Sequence, residues 1–234
     1  MGRRRTGLTV EWGKDVLRDA DFSDIEQNIQ SILKGVDLES VAVYLFLADD
    51  FARGSVTERP LFQFVYRSFY RLDNAGLTQE FKKKYFELME AARGKAVDIR
   101  RLAEVLFDIP NAKGQKSLQF SFVTKLAHTV DPKHALYDEN IVKYFRFRSP
   151  NGSPKDFPNR IQPFLPFYQD LSRCYQRILG DGTLANAMHS FRDTRSARVP
   201  DVKILDFIFH SAGRLGLSVG VPGIAARLDA AARK

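Results

Sequence analysis

The chain has 234 residues, 44% hydrophobic and 27% charged, enough apolar material for one sizeable core or two small lobes around a shared one. Its formal net charge of +8 favours anionic partners such as nucleic acid. The single cysteine, Cys174, excludes an internal disulfide and a cysteine-rich metal site, and His128, His134, His189 and His210 show no paired-ligand spacing within one helix. No apolar run reaches the roughly 18 residues of a membrane span, and the basic start lacks the apolar core of a secretory signal, so a cytoplasmic location without a membrane is expected.

Residues 1–20 read as a basic arm led by Arg3, Arg4 and Arg5, and residues 21–234 as a single helical domain. A helix is expected over 24–33, entered through Ser23, with Ile25, Ile29 and Ile32 on one stripe. Residues 38–52 fit a buried helix or a strand by periodicity, and their helical neighbours favour the helix. The aromatic stretch 59–72 keeps an i, i+3, i+4 core pattern, with Phe64 and Arg67 off it. Helices follow over 77–93, entered through Thr78, and over 97–107.

The stretch from Ile109 to Phe145 holds the strongest chemical signal. A polar turn, Ile109 to Lys116, leads into an amphipathic helix over 117–130, and a return loop brings Asp138 to the start of another helix over 140–147. At about 100° per residue, Leu118, Phe122, Leu126 and Thr129 share one side of the first helix, and Lys125 points into that apolar stripe. A desolvated lysine has a lowered pKa and becomes an amine nucleophile; the competing reading is a side chain that snorkels to water or to a carboxylate. Lys116 competes for the role from the N-terminal end of the helix, where unpaired N–H groups attract phosphate. The two lysines lie about 180° apart around the axis, so one at most faces a given pocket.

Beyond this stretch, the Pro- and Gly-containing segment 149–158 marks a loop. A long helix is expected over 160–179, truly starting near Pro166, then a short one over 184–191 and a last strong one over 202–214. Cys174 reads as a packed thiol.

The turn Ile-Pro-Asn-Ala-Lys-Gly-Gln-Lys leading into a helix, followed by a loop that ends in Tyr137-Asp138, resembles the helix-hairpin-helix DNA glycosylases. The segments SFVTKLAHTVDP and ALYDENI are similar to the 8-oxoguanine DNA glycosylase-like proteins of that superfamily. The hairpin here is reduced to Gly114 alone, and Asp138 lies thirteen residues after Lys125 and twenty-two after Lys116.

This resemblance implies an all-α, two-lobed fold with its helix-hairpin-helix at about 97–130, and a monomer that excises a damaged or modified base from double-stranded DNA. A lysine, Lys125 or Lys116, would attack the sugar C1′ of an everted nucleotide, and Asp138 would stabilise the developing charge. Neither metal nor cofactor is called for. Asn111, Lys113, Gly114 and Gln115 would hold a phosphate, with Lys143, Arg146 and Arg148 clamping the backbone. Phe122, Thr129, Asp206, Phe209 and His210 are the expected base pocket. Two bland readings stand beside these: Asp138 as an ordinary helix cap, and the whole protein as a non-catalytic DNA-binding module.

Overall fold

Helices account for nearly all regular structure in this all-α protein. The structure is a computed structural model and describes residues 17–147 and 156–220; most of the basic arm, Arg148 and the tail after 220 lie outside the described residues. The elements are α1 (Ser23–Lys34), α2 (Leu38–Ala52), α3 (Pro60–Tyr70), α4 (Gln79–Ala92), α5 (Ile99–Phe107), α6 (Phe120–Val130), α7 (Glu139–Tyr144), α8 (Phe157–Ile161), α9 (Phe164–Asp181), α10 (Ala185–Thr194) and α11 (Asp201–Arg214). The β structure among the described residues is one isolated bridge between Asp21 and Gly220.

Short polar side chains set the helix starts, by accepting hydrogen bonds from first-turn N–H groups that have no partner within the helix. Asp37 caps α2, Thr78 caps α4, Asp98 caps α5 and Asp138 caps α7. Several boundaries differ from the sequence reading, those of α1, α6 and α8–α9 among them. Ser23 lies inside α1 rather than before it, because the Asp21 carboxylate accepts from both its N–H and its hydroxyl. The helix expected from residue 117 begins at Phe120. The long helix expected over 160–179 is split into α8 and α9, with Pro163 at the break.

The apolar faces bury into two hydrophobic clusters. One gathers α1, the first half of α2, α7, α10, α11 and most of α9, around Tyr144, Phe145, Phe167, Tyr175 and Phe209. The other gathers α3 to α6 and α8, around Phe62, Tyr66, Tyr85, Phe86 and Phe120. Phe69, Tyr137 and Phe164 pack against both. In the first cluster α7 and α11 are in backbone contact: a Cβ built on Gly213 would stand 1.9 Å from the Asn140 carbonyl oxygen. Only glycine permits that approach, which fixes the start of α7 beside the C-terminal end of α11.

Candidate functional site

Lys125 lies midway along α6, mostly buried, with its ammonium 5.1 Å from the Phe122 ring centroid and 5.6 Å from that of Tyr70. The ammonium has no hydrogen bond or ion pair to a described residue. Burial lowers its pKa from 10.5 to about 8; the Asp138 charge opposes that shift, while Lys203 and Arg71 add to it. Rings around the amine favour a cation but cannot replace lost hydration.

The return loop that carries Asp138 is pinned from three helices. From α6, Thr124 Oγ1 accepts from the Tyr137 N–H at 3.0 Å, and His128 Nδ1 donates to the His134 carbonyl at 2.7 Å. From α9, the Tyr168 hydroxyl donates to the Ala135 carbonyl at 3.0 Å, and from α11, Asp206 Oδ1 accepts from the Leu136 N–H at 3.1 Å. The loop's backbone groups are thereby satisfied without a helix or a sheet. Asp138 itself accepts from the Asn140 N–H at 2.9 Å, so it does cap α7, yet it also faces open space beside Lys125.

Lys125 and Asp138 line one cavity of about 500 Å³, together with Tyr70, Lys203, Asp206 and His210. Lys203 was missed by sequence reading. It is 4% exposed, and its ammonium lies 4.6 Å from the Phe207 ring centroid and 5.1 Å from that of Tyr44. No ion-pair partner for it exists among the described residues, and burial lowers its pKa against the pull of Asp206 and Asp138. The signal was available, since Lys203, Asp206 and His210 at i, i+3 and i+7 share one helix face. The apolar neighbours in Val-Lys-Ile-Leu hid it.

Asp206 is 1% exposed. Its Oδ1 accepts from the Leu136 N–H and from the Tyr175 hydroxyl, while Oδ2 has no hydrogen-bond partner among the described residues. Burial pushes its pKa up to about 7, with Lys203 as the largest opposing influence. Burial thus favours the protonated carboxyl far more than in a solvated aspartate. His128, against its Oδ2, is held neutral by burial, with its pKa lowered to about 3. His210 Nε2 lies 3.0 Å from Asn140 Nδ2 and 3.5 Å from Asp138 Oδ1. Burial lowers its pKa despite Asp138, so at neutral pH the ring is uncharged and Nε2 accepts from Asn140.

Several expected site residues lie elsewhere. Lys116 pairs with Asp108 at 2.9 Å on the exposed side of the turn and does not line the cavity. Thr129 is turned to Tyr66 and to the Lys125 carbonyl, and Phe209 is packed among Tyr144, Phe145 and Tyr175, so neither forms part of the cavity wall. Phe122 serves as a ring beside the Lys125 ammonium rather than as wall.

The expectation of hairpin N–H groups free to grip a phosphate is corrected for five of them. Asn111 Oδ1 accepts from the N–H groups of Lys113 and Gln115. The N–H groups of Asn111, Ala112 and Gly114 bond to the carbonyls of Gln115, Gly76 and Asn111. Gly114 supplies the positive φ of 73° that this turn needs. Of the expected backbone clamp, Lys143 pairs with Glu139 at 2.7 Å and Arg146 donates to Ser218 Oγ at 2.8 Å; Arg148 lies outside the described residues.

Among the described residues no group of three or more His, Cys, Asp or Glu side chains is placed to hold a metal ion, and no helix is long and apolar enough to cross a membrane. No family model matches the sequence, and neither a characterised protein nor a solved structure matches it.

Proposed function

We propose that the cavity is the active site of a DNA glycosylase with AP lyase activity, acting on a damaged or modified base of the 8-oxoguanine kind, with Lys125 as nucleophile and Asp138 as its acid–base partner. The observation that carries this reading is the sharing of one cavity by the largely buried Lys125 amine, its pKa lowered to about 8, and the Asp138 carboxylate. About a tenth of such an amine is neutral at pH 7. The cavity volume of about 500 Å³ falls in the range of small-ligand sites, roughly 300–1,000 Å³, and Tyr70 and Phe207 offer it aromatic walls.

In the proposed reaction the target nucleotide leaves the base stack, at a cost on the order of a few kcal/mol that is least for a weakened pair. The neutral Lys125 amine forms a bond to C1′ as the bond to the base breaks, and the base departs with that electron pair and takes up a proton. The nitrogen, now positively charged, loses a proton to Asp138, which delivers it to the ring oxygen. The ring opens and leaves a protonated imine between Lys125 and C1′. Loss of a C2′ proton then expels the 3′ phosphate and cuts the strand. A positive charge on Lys203 disfavours a proton on Lys125, a known route to an activated lysine.

The rival reading, a non-catalytic DNA-binding hairpin, draws less support, because the hairpin donors it needs are already bonded within the chain. The deciding experiment is borohydride trapping on duplexes carrying 8-oxoguanine and other lesions. Wild type and Lys116→Ala should give a covalent adduct, and Lys125→Ala should give none. An adduct lost only in Lys203→Ala would move the nucleophile to α11. No adduct and no abasic product on any lesion would sink the reading.

A further inference from the structure

Arg71 follows the last turn of α3 in the left-handed conformation, at φ 59° and ψ 33°. Glycine takes this conformation freely, whereas a side chain is crowded in it. Five described glycines have positive φ; the two residues that keep a side chain at such a φ are Arg71 and Arg146. Arg146 is engaged with Ser218. The Arg71 guanidinium makes no hydrogen bond or ion pair to any described residue, although the residue is exposed and lines the cavity.

The other cations near this face are either engaged with the chain or, as with Lys125 and Lys203, turned inward among aromatic rings. Lys143 holds Glu139, and Arg214, which also lines the cavity, donates to the Gly35 carbonyl. Arg71 thus places an uncommitted planar fork at the rim, within electrostatic reach of Lys125. A guanidinium fork matches two oxygens of a phosphate in one plane, which an ammonium cannot do. The backbone conformation gives the fold no reason to prefer arginine over glycine here, and no described residue engages the side chain.

We propose that Arg71 is the phosphate-binding residue of this cavity, receiving the non-bridging oxygens of the phosphodiester beside the nucleotide whose sugar faces Lys125. The identity of the phosphate rests on the base-excision reading; the anion site itself rests on the geometry of Arg71.

The test is Arg71→Gly, which removes the fork and relaxes the backbone, with Arg71→Lys as the conservative variant. Arg71→Gly should melt no lower than wild type yet bind a duplex carrying a tetrahydrofuran abasic analogue about tenfold more weakly at low salt. The slope of log affinity against log salt should flatten by about one. Arg71→Lys should keep the slope and recover part of the affinity. Unchanged affinity and slope in Arg71→Gly, or a melting temperature several degrees lower, overturns the proposal.

A second arm needs neither DNA nor chemistry. Millimolar inorganic phosphate should raise the melting temperature of wild type and not that of Arg71→Gly, and equal stabilisation of both overturns the anion site. If wild type neither traps a lesion duplex nor prefers the abasic analogue, the base-excision reading fails by itself. The phosphate arm then decides alone whether Arg71 binds an anion.

Discussion

Lys125 is a charged group kept in a place that penalises charge, and two measurable consequences follow. With a pKa of about 8, the neutral amine becomes the major form as pH rises through that value. The single-turnover rate of adduct formation should therefore climb between pH 7 and 9 with a midpoint near 8. A midpoint near 10.5 would mean that the amine is solvated. The same shift affects stability: the folded protein gives up this proton before the unfolded chain does. Stability carries the full penalty below about pH 8 and recovers as pH rises from there towards 10.5. Lys125→Met should remove that rise and melt higher at neutral pH, which a thermal scan across pH 7 to 10 would show. The position of this lysine on an apolar stripe was legible in the sequence, because helical spacing alone puts it there. Lys203 was harder to see, since a lysine flanked by Val202 and Ile204 gives no local hint of which face it shares.

Among the elements, the cavity depends most on the pairing of α7 with α11. Gly213 meets the Asn140 carbonyl so closely that a methyl group at Gly213 has no room without backbone movement. Gly213→Ala should cost about 1–3 kcal/mol as an overpacking change, measurable as a lower urea midpoint. It should also separate Asp138, at the start of α7, from Lys203 and Asp206 on α11, so adduct formation should fall with it. A wild-type midpoint would show that the helices can part without strain. Helix existence and rough extent were readable from capping residues and periodicity, as in α4, entered through Thr78. The hairpin between α5 and α6 was not. Whether its N–H groups are free turns on the Asn111 side chain and on the Gly76 carbonyl. The second of these is a contact with a distant part of the chain that no local pattern encodes.

Across the whole molecule, the two hydrophobic clusters are joined by rings that belong to both, namely Phe69, Tyr137 and Phe164. A shared seam of this kind makes independent melting of the halves costly. Cys174, the single cysteine, is buried in the first cluster, and burial pushes its thiol up to about 12, so it reacts only after that cluster opens. Thiol labelling of Cys174, which reports the first cluster, and tyrosine absorbance, which reports both through Tyr44, Tyr144 and Tyr175 in the first and Tyr66, Tyr70, Tyr85 and Tyr168 in the second, should give the same denaturant midpoint. Two separate midpoints would show that the clusters unfold as separate units. Composition announced one or two cores of ordinary size, but only long-range packing shows that they share a boundary and where it opens.

The two inward-facing amines also say where this protein would yield under selection. Proteins pushed towards heat tolerance shed whatever activity alone requires. A library propagated for survival at rising temperature, with no demand on catalysis, should replace Lys125 and Lys203 early with methionine or leucine. The order in which such lineages lose their buried lysines would then chart the working centre without a substrate ever being supplied.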